Sequence, residues 1–443
     1  MSFRARFRPA VLLSTLTALA FSASLSADEN WPRFRGPNGS GIAADSGAPL
    51  TWSESENMAW TLDLPGPGSS SPIIWGDRVF VTCYSGYGDG SDGKVTDLKR
   101  HLIAVDRKTG SLVWEKTVPT TALEDSYQGF ITEHGYASQT PVTDGERIYC
   151  FFGKTGVVAF DWASEEVWRT EVGTSSSSKR WGSASSPILH GDILIVNASD
   201  EAETLFGINK NNGEIAWKSE ASSLNSIYGT PIIHKVDDER SDVVIAVLDE
   251  VWGLNPDTGG LRWFASNGIS GNASASVVAD SDSDTLVAFG GFPRTLAVGL
   301  RGGGKGDVTD SHNLWENTNA AYLNSPVFHE GKIYWVSDKG IAYCSDPKTG
   351  ELIYEERLPD TAGKTGKGKP FYASPILVDG HLLAVSRTAG TFVIEAKPEF
   401  NLVRVNKIAN DESQFNTTPA VSGDQIFIRS QTTLYAIGSS AKK

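Results

Sequence analysis

Six aromatic side chains recur at one kind of place in this chain. Tyr136, Trp181, Tyr228, Tyr322, Tyr372 and Phe415 each stand three to six residues before the second residue of a Ser/Thr-Pro pair that opens an apolar segment. Basic residues follow a second rhythm. Arg180 stands beside Trp181, and Lys154, Arg294, Lys339, Arg387 and Arg429 fall in later turns of the same units. Two units carry Asp200, Glu201, Asp249 and Glu250 instead. Aromatic faces bind apolar or planar groups, and guanidinium and ammonium groups bind anions. The expected chemistry is therefore ligand capture in a funnel with aromatic walls, one basic side and one acidic side. The competing reading is that the rings only plug gaps between units.

Catalytic and metal chemistry finds little support. No G-x-S-x-G motif is present, and the 7 histidines are scattered. His190, His234 and His329 sit at equivalent positions three residues after a proline, as turn residues do. Asp280, Asp282 and Asp284 alternate with serines but lack the glycine and distal glutamate of a calcium loop, and read as an acidic hairpin turn. The 3 cysteines, Cys83, Cys150 and Cys344, are too widely spaced for a metal knuckle or haem attachment, and read as small buried strand residues. No catalytic residue and no metal site is expected.

These side chains need a scaffold, and its period is legible. Seven openings are clear: Ser71-Pro72, Thr140-Pro141, Ser186-Pro187, Thr230-Pro231, Ser325-Pro326, Ser374-Pro375 and Thr418-Pro419. Ser274-Ala275-Ser276-Val277 is an eighth without proline. A repeat of about 40–45 residues marks a propeller blade. The expected fold is all-β, an eight-bladed β-propeller of four-stranded antiparallel blades. The 45 glycines, 13 tryptophans and only 2 methionines suit short strands and tight turns.

Within a unit, strands three and four are joined by an Asp-x-x-Thr-Gly turn, as in Asp106–Gly110. Asn209–Gly213, Asn255–Gly259 and Asp346–Gly350 repeat it. The acid or amide accepts backbone N–H groups and glycine supplies a positive φ. An aromatic follows each of these glycines by four residues. Trp114, Trp217, Trp263 and Tyr354 are read as wedges against the next blade, with Trp168 and Trp315 in the irregular units. The last unit has only three strands, and an orphan strand at 57–62 carries Trp60. That N-terminal strand is expected to close the last blade, which removes open sheet edges.

Residues 1–27 read as a secretory signal, with Arg4, Arg6 and Arg8 before an apolar run and small residues around Ser26 and Ala27. The run is too short to span a bilayer. Without it, 36 basic residues face 53 acidic ones, a net charge of −17 that disfavours nucleic acid. The expected division is a signal at 1–27, an N-terminal arm at 28–56, a propeller at 57–437 and a tail at 438–443. A monomeric ring in the periplasm or outside the cell is expected, with no transmembrane segment after signal removal.

The Ala104-x-Asp106-x-x-Thr109-Gly110-x-x-x-Trp114 run, and its copy through Gly207, Asn209, Gly213 and Trp217, resemble the PQQ-like, or quinoprotein alcohol dehydrogenase-like, propeller repeats. The resemblance covers about residues 57–437. Trp31-Pro32-Arg33-Phe34-Arg35-Gly36 resembles an N-terminal signature of secreted PQQ-like propellers of planctomycete type, and reads as an ordered arm whose two aromatics dock. The WD40 alternative would need Gly-His and Trp-Asp marks that are absent. The resemblance implies one of two classes. One is BamB-type scaffolds, which bind protein or another envelope component without chemistry. The other is dehydrogenases of alcohols or sugars that use pyrroloquinoline quinone (PQQ) and calcium. The second class usually shows adjacent cysteines, and this chain has no Cys-Cys pair. The reading is a non-catalytic scaffold with no cofactor. PQQ with calcium belongs to the dehydrogenase alternative, and a carbohydrate-binding propeller is a further alternative.

Overall fold

The computed structural model describes Met1 and residues 30–43, 46–280, 282–361 and 369–439; the signal segment and most of the C-terminal tail lie outside the described residues. Eight antiparallel sheets form a ring. Blade one comprises Ile73–Trp75, Arg78–Ser85, Lys99–Asp106 and Leu112–Pro119. Blades two to seven repeat this order, from Val142–Thr143 through Leu402–Asn406. Blade eight pairs Ala420–Ser422, Gln425–Arg429 and Thr433–Ile437 with Met58–Asp63. The N-terminal strand therefore closes the ring, and Trp60 lies opposite Ala436.

The repeated motif now has a physical account. A small residue on strand three faces the strand-four aromatic across the ladder: Ala104 faces Trp114, Gly207 faces Trp217 and Gly299 faces Trp315. Each indole then reaches the next blade. Trp60, Trp114, Trp168, Trp217 and Trp315 donate to the carbonyls of Arg107, Trp162, Lys210, Pro256 and Pro347, at 2.8–3.0 Å. The turn glycine lies beneath the preceding blade's indole. Gly110 has φ 71°, and a Cβ there would stand 2.6 Å from Trp60. One residue thus meets a backbone demand and a packing demand together. Trp263 departs from the pattern: its indole donates to Asp242 of its own blade, and Gly306–Asp307 adds a parallel strand outside it. Tyr354 meets Phe400 of blade seven edge-on.

The Ser/Thr of each opening ties the blades together at the axis. The backbone N–H of Ser71 donates to Thr140 Oγ1, and Thr140 N–H to Ser186 Oγ. The chain continues through Thr230, Ser276, Ser325 and Ser374 to Thr418 Oγ1, each bond 2.9–3.1 Å long. A hydroxyl is needed because each strand-one N–H here is buried and has no ladder partner on its inner side.

The arm does more than dock. Trp31 and Ile74 exchange backbone hydrogen bonds at 2.9 and 2.8 Å, and Thr143 N–H donates to Pro32 O. Arg33 then reaches Pro231 O in blade four. Arg35 reaches Ser325 O, Pro326 O and Pro375 O in blades six and seven, and closes its own loop through Gly39 O and Ser40 O. Ile42–Ala43 finally joins the inner strand of blade seven in parallel. The arm therefore crosses the central channel, and on the side away from the entry loops it leaves a cavity of about 1020 Å³ against the inner strands of blades four, five and eight. Gly36, at φ 69°, is required where the chain turns back over Trp31, since a Cβ would stand 2.7 Å from the indole.

Candidate functional site

Above the arm, on the face that carries the connections into each blade's first strand, the axis opens into a cavity of about 190 Å³. All eight opening hydroxyls, Ser71 to Thr418, form a collar on its lining, and Phe34 of the arm lines it from below. Trp181, Tyr228, Tyr322 and Tyr372 line its walls. Four of the six recurrent aromatics therefore converge, from the connections into blades three, four, six and seven.

Two aromatics stand elsewhere. Tyr136 packs edge-on against Tyr84 and also meets Tyr87 and Tyr127, and its hydroxyl donates to Asp125 O. Phe415 stacks on Tyr435 and lines a separate cleft between blades seven and eight. For these two the gap-filling reading describes the contacts.

The basic candidates divide as well. Arg387 lies 4.2 Å over the Tyr372 ring and donates to Glu133, at the cavity wall. Arg180, Arg294 and Lys339 are exposed on turns of the same face and do not line the cavity. Arg429 is fully buried between blades eight and one, where it donates to Ser70 and to Thr82 O. Burial lowers its pKa to about 10. Lys154, Asp200 and Glu201 do not form opposing funnel walls. Lys154 pairs with Asp125 at 3.0 Å, Arg100 pairs with Glu124 at 2.6 Å, and Glu201 accepts from Ser183, all beneath the surface. Burial, with the nearby charges of Asp200 and Glu124 adding to it, pushes the Glu201 carboxyl up to about 8. Glu250 accepts the indole N–H of Trp252, and Asp249 bends the chain at φ 62°.

On sequence the long connection at residues 117–138 is a candidate binding surface, but its individual wall residues are missed. Phe130, Glu133, His134 and Ser138 line the cavity from the long connection between blades one and two. A short helix at Ile131–His134 places them. Phe130 meets Trp181 at 4.4 Å between ring centroids, and Trp181 stacks on Tyr228. The available signal was that connection's length, since long loops in compact repeats often carry binding residues. Lys369 was also missed; its ammonium stands 3.5 Å from the Tyr322 centroid and pairs with Asp338. His134 offers no free base. Its Nε2 donates to Trp181 O, its Nδ1 meets Ser138 Oγ, and burial lowers its pKa.

Two arginines lie just under the collar. Arg33 and Arg35 are buried, and burial lowers their pKa to about 10 and about 9, with the Arg33 charge adding to the effect on Arg35. Both remain cationic at neutral pH, and backbone carbonyls rather than a carboxylate receive their described hydrogen bonds.

A family model described as outer membrane protein assembly factor BamB matches residues 99–356, more than half of the chain. The chain belongs to that family. Among solved structures, BamB from Moraxella catarrhalis is 12% identical, with a TM-score of 0.59 over 87% of this chain and 98% of that one. A europium-containing methanol dehydrogenase is 9% identical, with a TM-score of 0.62 over 94% of this chain and 99% of that one. A quinohemoprotein alcohol dehydrogenase from Comamonas testosteroni is also 9% identical, with a TM-score of 0.59 over 94% and 81%. At these identities the likeness is one of fold. No curated protein sequence matches the chain.

The cavity lining is a poor fit to calcium-bound PQQ. Glu133 is its sole carboxylate and is committed to Arg387. Among the described residues no three His, Cys, Asp or Glu side chains stand together as metal ligands. Cys83, Cys150 and Cys344 are free, buried and in three different blades, so none forms a stacking disulfide. A cavity of roughly 150 Å³ holds benzene, so the 190 Å³ of this open cup has room for one six-membered ring.

Proposed function

We propose that this protein is a non-catalytic propeller of the cell envelope that binds a protein or other envelope component on its aromatic face. One observation carries the reading: four aromatic residues converge on a cup that Phe34 of the chain's own arm lines from below. Membership of the BamB family supports a protein partner, and among the described residues no helix is long and apolar enough to cross a membrane. Export through residues 1–27 belongs to the same proposal.

Photo-crosslinking groups placed at the exposed Arg180, Arg294 and Lys339 test it in intact cells, with Lys108 on the opposite face as control. Discrete adducts from the first three positions and none from Lys108 are expected. The dehydrogenase alternative is tested by titrating the protein with PQQ and calcium and measuring dye reduction with alcohols and sugars. Turnover there would overturn the scaffold reading.

A further inference from the structure

We propose that the cavity at the axis is a binding site for an organic carboxylate carried on a single six-membered ring. The inference rests on the reading of the cup as a ligand site and names what enters it.

Size comes first. The cavity, about 190 Å³, exceeds only modestly the roughly 150 Å³ that accommodates benzene. Its walls supply ring faces from Phe130, Trp181, Tyr228, Tyr322 and Tyr372. Apolar walls with a few convergent polar groups are the usual construction of a small-molecule pocket.

Polarity at the base selects the second feature of the ligand. Seven collar hydroxyls accept a backbone N–H from the neighbouring blade, and among the described residues none of the eight donates a hydrogen bond in return. Each hydroxyl has one proton to give. A ring of unspent donors calls for a group rich in acceptors, and a carboxylate offers about four lone-pair sites on two oxygens.

Charge selects further. Arg33 and Arg35 lie directly beneath the collar, bonded to the carbonyls of Pro231, Ser325, Pro326 and Pro375, residues of or adjoining the openings. Arg33 Nε is buried without a partner. Two cations buried beneath the collar create a positive potential at the cavity base that an anion neutralises. The carboxylates near the wall are already engaged or set back. Glu133 pairs with Arg387 and Asp338 with Lys369. Asp200, behind Tyr228, has its pKa raised by burial and by Asp125.

Two sources share this chemistry, a uronic-acid sugar and an aromatic acid. The probes are glucuronate and phenylacetate, each against its neutral counterpart, methyl glucoside and phenylacetamide, by calorimetry and tryptophan fluorescence. At least one anion is expected to bind tenfold or more tighter than its neutral counterpart, more weakly as salt rises. Binding by glucuronate alone assigns a sugar acid; binding by phenylacetate alone assigns an aromatic acid. Ser71→Ala removes a collar donor that holds no blade contact, and should weaken the anion several-fold without moving Tm. Tyr372→Ala should weaken anion and neutral probe alike. Equal affinity for anion and neutral counterpart, or no binding of either anion at millimolar concentration, overturns the proposal. Crosslinks at Arg180 that persist despite such a failure would leave the scaffold reading standing.

Discussion

Arg387 donates to the Glu133 carboxylate at 2.6 Å, across 254 residues of sequence, and joins a turn of blade seven to the helix between blades one and two. Asn416 adds a 2.9 Å bond to the Glu133 carbonyl. The long connection is thus pinned at Glu133, at the cavity wall. The pair is partly exposed, so its coupling energy is expected near 1 kcal/mol. A double-mutant cycle of Glu133→Gln and Arg387→Gln, read by chemical denaturation, measures it. Hydrogen exchange around Ile131–His134 should rise in either single variant.

The two arm arginines should differ in weight. Arg35 is bonded to five carbonyls and Arg33 to one. Removing Arg35 leaves buried acceptors unpaired, at about 1–3 kcal/mol for each that water does not reach. Arg35→Ala should therefore lower Tm clearly more than Arg33→Ala. Equal losses would mean that the arm is held by Trp31 and its strand contacts instead.

Gly110→Ala tests the wedge. The new Cβ would stand 2.6 Å from Trp60 at a φ of 71°. The expected cost is about 1–3 kcal/mol. Gly76→Ala also has positive φ but faces open space, and should cost less. Trp60→Phe removes the bond to Arg107 O, at about 1 kcal/mol beyond lost packing. Thermal unfolding of the three variants ranks them.

Glu201 makes stability depend on pH in a defined direction. Its carboxyl titrates near 4.5 when unfolded and about 8 when folded. Between these values the folded state binds the extra proton, so stability falls as pH rises from about 4.5 to about 8 and then levels off. Glu201→Gln should flatten this limb, gaining more Tm at pH 8.5 than at pH 5. An unchanged pH profile would show that Glu201 does not carry the proton.

The thiols should be silent in the folded protein. Burial pushes Cys83 up to about 12 and Cys344 up to about 11, and raises Cys150 further. Reaction with a thiol reagent at pH 8 is expected only on unfolding, with all three then titrating. Fast labelling of the native state would contradict the burial.

Much of the architecture was legible in the sequence because the causes are local and repeated. The Ser/Thr-Pro openings, the Asp-x-x-Thr-Gly turn and the aromatic four residues on each answer a demand made inside one blade or between neighbours. Repetition made the opening visible eight times and the turn four times, and the orphan Trp60 strand could be assigned because one blade lacked a partner. Those residues by themselves determined the ring and its closure. The cup was decided only by the tertiary structure. The arm occurs once, so no period marks it, and the blade carbonyls that receive Arg33 and Arg35 lie about 200 to 340 residues away. Four aromatics at equivalent positions share one cavity, while Tyr136 and Phe415 turn to neighbours that only the packed loops supply. Arg429, equivalent in sequence to Arg387, is buried because Ser70 and Thr82 of blade one wait at the seam where the ring closes.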